Sequence, residues 1–178
     1  MKKHKKSLIF LIKFFVTYFI LVGIYDHYLI RSQQKFPFFK TSSITTLVAN
    51  QSKDILTLFG YHVQAIQHEQ ELSIKIIFGE RYVAGIVEGC NSLSLIILFV
   101  SFIVAFKGPI KVTVLFGFLG SVFIYIINLL RIALLLVLID TYPSQIQFLH
   151  TVVFPVIIYG TILILWIIWT TNYSTFQK

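Results

Sequence analysis

Long apolar runs, separated by short basic or turn-rich segments, set the pattern of this chain. Residues 8–30 are almost wholly apolar and exceed the roughly 20 residues that a membrane-crossing helix needs. Residues 91–106 predict a second membrane helix, apolar from Leu93 onward. Gly108-Pro109 then forbids an uninterrupted helix into the third run, 112–139, because proline has no N–H to give and its ring clashes with the preceding turn. A fourth run covers 147–170, with Trp166, Trp169 and Tyr173 forming an aromatic belt at its end. The pattern predicts an all-α polytopic membrane protein, a four-transmembrane-helix bundle forming one membrane domain over 1–178.

Residues 31–89 break that pattern. They hold Arg31, Lys35, Lys40, Lys53, Lys75 and Arg81 against Asp54, Glu69, Glu71, Glu80 and Glu88, with no apolar run long enough to span. This segment is predicted to be a small extracytoplasmic cap. Within it, Ile44, Leu47, Val48, Ile55, Leu58 and Phe59 recur near a 3.6-residue period over 43–61, which predicts an amphipathic helix laying one apolar face on the bilayer. Residues 62–67 and 72–78 alternate around His68-Glu69-Gln70-Glu71, and 81–87 follow Phe78-Gly79-Glu80. That spacing predicts a β-hairpin or three-stranded sheet.

Composition agrees with the class and narrows it. With 57% hydrophobic residues and a mean hydropathy of +0.83, a water-soluble globular domain is excluded. A net charge of +8 would suit a nucleic-acid partner, but in a membrane protein the distribution of charge matters more than its sum. Lys2, Lys3, Lys5, Lys6, Lys107, Lys111 and Lys178 fall in segments 1–7, 107–111 and 171–178, which hold no carboxylate. By the positive-inside rule both termini are cytoplasmic and the cap faces outward. The partner implied is the lipid bilayer, not nucleic acid. The basic start with no small-residue cleavage pattern after the apolar run reads as a retained first helix rather than a removed signal.

Candidate chemistry centres on Glu88-Gly89-Cys90-Asn91-Ser92, which holds the only cysteine. One cysteine excludes an internal disulfide and leaves thiol-redox chemistry without a resolving partner. There is no His-Glu-x-x-His or comparable ligand set, so neither a metal nor another cofactor is predicted. Arg131 lies about 30 Å above Lys111 at ~1.5 Å per residue, near the outer edge of a hydrocarbon core of about 30 Å. Cys90 opens the second helix and His150 the fourth, both from the outer side. An antiparallel bundle thus brings Cys90, Arg131 and His150 to one depth, with Glu88, Asn91 and Asn128 as polar neighbours.

Taken singly, each has an ordinary reading. Lone membrane cysteines serve as small fillers, an arginine near an interface snorkels to headgroups, and a histidine at a helix start is often merely interfacial. Together they suit nucleophilic catalysis: a thiolate favoured by a helix N-terminus and a nearby cation, a base, and an oriented donor. The alternative is a non-enzymatic membrane assembly or chaperone subunit whose cap binds another protein.

Glu88-Gly89-Cys90-Asn91-Ser92, Asn128-Leu129-Leu130-Arg131-Ile132 and His150 resemble the Cys, Arg and His motifs of the exosortase/archaeosortase family, over residues 83–159. The resemblance implies a membrane-embedded cysteine transpeptidase or protease of the bacterial cytoplasmic (inner) membrane, with catalytic Cys90, Arg131 and His150 on its outer face. It implies substrates that are exported proteins with a C-terminal motif, a transmembrane helix and a basic cluster. The sequence departs from the family at Asn91-Ser92, where a small hydroxyl residue followed by glycine is common.

Overall fold

The computed structural model describes residues 2–35, 38–106 and 108–174. Lys107 and Lys178, used in the charge argument, lie outside them. The elements run α1 (Lys2–Ser32), α2 (Ser43–Leu58), β1 (Val63–Gln67), β2 (Ser73–Phe78), β3 (Arg81–Val87), a 3-10 turn (Glu88–Cys90), α3 (Leu93–Ala105) and α4 (Ile110–Thr141). A 3-10 turn (Pro143–Gln145), α5 (Ile146–Phe148), a π-helical turn (Leu149–Val153) and α6 (Phe154–Asn172) complete the chain. The protein is mostly helical, and three stretches, Lys6–Ser32, Ile110–Thr141 and Leu149–Asn172, are long and apolar enough to cross a membrane.

The second predicted membrane helix is shorter than expected. It starts at Leu93 rather than 91 and has 13 residues, about 20 Å of rise against a core of about 30 Å. Asn91 and Ser92 are used in a turn instead: Asn91 Oδ1 accepts from the Leu93 N–H at 3.0 Å. Ser92 takes a left-handed conformation at φ 60°. The fourth run is also interrupted. Pro155 has no N–H to offer the carbonyl of Thr151, and the chain before α6 widens into the π turn that carries His150.

Two cores organise the molecule. In the first, Val48, Ala49 and Leu56 of α2 and Ile74, Ile76 and Ile86 of the sheet close over Leu129, Ile132, Ala133 and Leu136 of α4. The cap is therefore built on the C-terminal half of α4. Its sheet is antiparallel, in the order β1-β2-β3, with Gly79 supplying the positive φ that the tight β2–β3 turn requires. The Arg81 guanidinium pairs with Asp140 at the last turn of α4 and pins the sheet there.

The α2 helix packs one face against the sheet and α4. Its buried face is Thr45, Val48, Ala49, Ser52 and Leu56, while Leu47, Leu58 and Phe59 are exposed. Small residues that carry little apolar signal let α2 approach the sheet and α4 closely.

In the second core, Phe99 and Ile103 of α3 meet Ile124 of α4 and Ile162 and Trp169 of α6. A Cβ at Gly120 would lie 2.4 Å from the Phe99 ring, so glycine is what permits α3 and α4 to pack this closely. The α1 helix leans on α3, with Phe10 against the rings of Phe102 and Phe106.

Candidate active site

Cys90 ends the 3-10 turn between β3 and α3, partly buried, against the core formed by the cap and α4. A single turn of three residues makes few backbone bonds of its own, here Asn91 N–H to Glu88 C=O at 3.3 Å. Its position is set by side chains from three other elements.

From α4, the fully buried Asn128 donates Nδ2 to the Cys90 carbonyl at 2.7 Å. Its Oδ1 accepts from Arg131 Nη1 at 3.3 Å, one turn along the same helix. One amide therefore links the cysteine turn to the guanidinium. Arg131 is half-buried, and its Nε is shielded from solvent with no hydrogen-bond partner among the described residues. A buried N–H left without an acceptor costs about 1–3 kcal/mol.

On the cap side, Glu88 and Asn91 bracket the cysteine. Glu88 Oε1 accepts from the Ser42 N–H at 2.9 Å, and Oε2 from Ser42 Oγ at 2.9 Å and Thr45 Oγ1 at 2.5 Å. Ser42 is also the N-cap of α2, accepting from the Thr45 N–H. Asn91 Nδ2 reaches Glu88 Oε2 at 3.2 Å, Thr45 Oγ1 at 3.2 Å and Tyr25 Oη of α1 at 2.8 Å. Burial raises the affinity of Glu88 for a proton, but the hydrogen bonds from Thr45, Gln33 and Ser42 outweigh it and hold the carboxyl below the usual glutamate range.

Of the residues singled out from sequence, the structure joins Cys90, Asn128 and Arg131 in one chain of hydrogen bonds and Glu88 and Asn91 in another. Glu88 bonds to α2 rather than to Arg131 or His150. His150 is exposed on the π turn, and its imidazole makes no hydrogen bond or ion pair to another described residue. No group of three or more His, Cys, Asp or Glu among the described residues is placed to hold a metal ion. Sequence reasoning missed Ser42, Thr45 and Tyr25. Ser42 and Thr45 carry a legible helix-start signal, but nothing local ties either of them, or Tyr25, to a turn some 45 to 65 residues later.

Comparison with known proteins adds one finding to this geometry. A family model described as transmembrane exosortase matches residues 7–169. No curated protein and no solved structure gives a match.

Proposed function

The chain belongs to the transmembrane exosortase family, and from that premise we propose that it is a cysteine transpeptidase or protease that cleaves C-terminal sorting signals of exported proteins at the outer leaflet of the bacterial cytoplasmic membrane. The observation that carries this reading is the Asn128 amide, bonded at one end to the Cys90 carbonyl and at the other to Arg131.

In the proposed reaction, His150 removes the thiol proton and Cys90 Sγ attacks the scissile carbonyl carbon. The tetrahedral oxyanion is stabilised by the guanidinium of Arg131, whose Nε–H is unspent. Collapse breaks the C–N bond, His150 returns the proton to the leaving amine, and a thioester remains on Cys90. An amine or water, giving its proton to His150, then resolves the thioester. No hydrogen bond joins the His150 imidazole to the thiol in the structure, and the proposed proton transfer takes place in the substrate complex, where catalytic hydrogen bonds tighten.

Topology supports the substrate class. The basic segments put both termini in the cytoplasm and the cap outside. We take α3 as a fourth, short membrane helix: its rise of about 20 Å within a core of about 30 Å puts the Cys90 turn about 10 Å inside the outer boundary, against the cap. A substrate helix anchored by a cytoplasmic basic cluster would hold its motif at that level.

The test is processing of a host protein that ends in motif, helix and basic cluster, co-expressed with the parent or with Cys90→Ser. Loss of cleavage at normal membrane abundance is expected, because a serine hydroxyl gives no comparable anion near neutral pH. Retention of most activity by Cys90→Ser would instead favour a partner-binding subunit.

A further inference from the structure

The carboxylate of Glu88, two residues before the candidate nucleophile, is bound at both oxygens. Oε1 accepts from the Ser42 N–H, and Oε2 accepts from Ser42 Oγ, Thr45 Oγ1 and Asn91 Nδ2. Four bonds on a group with about four lone-pair sites tie this carboxylate to the start of α2 and to Asn91. Its donors sit at the N-terminus of α2, where unpaired N–H groups and the helix dipole favour a negative charge.

Asn91, on the other side of Cys90, is held just as firmly. Its Nδ2 is divided among Glu88, Thr45 and Tyr25, and its Oδ1 caps Leu93. The 3-10 turn between these residues has one backbone bond of its own, too little to fix a side chain's direction.

We propose that Glu88 is a positioning residue, which, with Thr45 and Asn91, locks the Cys90 turn to the N-terminus of α2, so that the cap helix sets the placement of the thiol relative to Arg131. The inference rests on the reading of Cys90 as nucleophile. The cap is then part of the active-site framework as well as a cover. Glutamine at position 88 keeps the shape but turns an amino group toward donors on Thr45 or Asn91, whereas aspartate keeps both acceptors and retreats by one methylene.

The experiment measures the rate at which N-ethylmaleimide alkylates Cys90 in membranes holding the full chain. Cys90 is the only cysteine, so the total adduct reports it. Glu88→Gln and Thr45→Val are each expected to change the rate by about fivefold or more, and the double variant by no more than the larger single change, since both cut one link. Glu88→Asp should lie between parent and Glu88→Gln. Ile162→Ala, which loosens the second core on α6 and touches neither this network nor the core that Cys90 packs against, should leave the rate within about twofold. In processing assays Glu88→Gln should lower kcat by about tenfold or more with little change in KM. Unchanged alkylation in Glu88→Gln and Thr45→Val, or an equal change in Ile162→Ala, overturns the positioning role. Processing by Cys90→Ser would remove the nucleophile reading separately, because the alkylation comparison needs no turnover.

Discussion

Asn128 of α4 donates its side-chain amide to the carbonyl of Cys90, in the turn that precedes α3, at 2.7 Å. The same side chain is 0% exposed and accepts from Arg131, so it has no conservative replacement. Asn128→Leu strands a buried carbonyl, which costs about 1–3 kcal/mol, and frees the guanidinium. Asn128→Asp keeps the acceptor for Arg131 but sets a carboxylate oxygen against the Cys90 carbonyl. Both variants are expected in the membrane, with processing lowered about tenfold or more. Parent-like processing by Asn128→Asp would show that this link plays no part in turnover.

Arg131 separates two roles through lysine. A charge that only meets headgroups survives Arg131→Lys, whereas a planar fork oriented by Asn128 does not, since a rotating ammonium cannot reproduce its fixed donors. Loss of one oriented donor typically costs about 10²–10³ in turnover. Arg131→Lys is therefore expected to lower processing by at least about tenfold, and Arg131→Ala by more, at matched protein levels. Equal processing by parent and Arg131→Lys would leave only a simple charge role.

Acid should loosen the cap through Glu88. Its folded-state proton affinity is reduced, so its contribution is fully present above the ordinary glutamate value of about 4.3 and is lost as pH falls through the lower folded value. Thermal unfolding of the purified protein, measured from neutral to acid pH, should show this loss in the parent. In Glu88→Gln the acid-dependent part assigned to this group should be missing. Parallel pH profiles for the two proteins would contradict the assignment.

Much of this architecture was legible in the sequence, and the reasons for the misses are physical. Apolar runs locate α1, α4 and α6, and Gly108-Pro109 marks the break before α4, because membrane-crossing helices are written in consecutive residues. Alternation around His68 to Glu71 announces the sheet. What escaped depends on contacts across long separations or on unusual backbone: Thr45 with Glu88, Tyr25 with Asn91, the π turn at His150, and the left-handed Ser92. The inward face of α2 was not legible because Thr45, Ala49 and Ser52 add little to an apolar count yet are fully buried.

Ser92 offers a direct check of that backbone reading. It stands where the family commonly has glycine and holds φ 60°, a region that costs a non-glycine residue about 1–2 kcal/mol. Ser92→Gly removes the strain but adds unfolded-chain freedom and loses the bond from Ser92 Oγ to the Asn91 carbonyl, so stability should stay within about 1 kcal/mol of the parent. A β-branched side chain is worst suited to this region, and Ser92→Val should lose about 2 kcal/mol or more. Thermal unfolding in detergent measures both, and a tolerated valine would refute the left-handed turn.

The central claim is that the Cys90 thiol forms a covalent bond to substrate, and the most direct measurement is the mass of the Cys90-containing peptide after rapid acid quenching of enzyme mixed with a processed substrate. The account predicts an added mass equal to the acyl fragment ending at the cleavage site, that is, the free-acid fragment less one water, released by hydroxylamine as a thioester and missing from Cys90→Ser. Continued processing in Cys90→Ser with no adduct at position 90, or with the fragment attached to another residue, would contradict it.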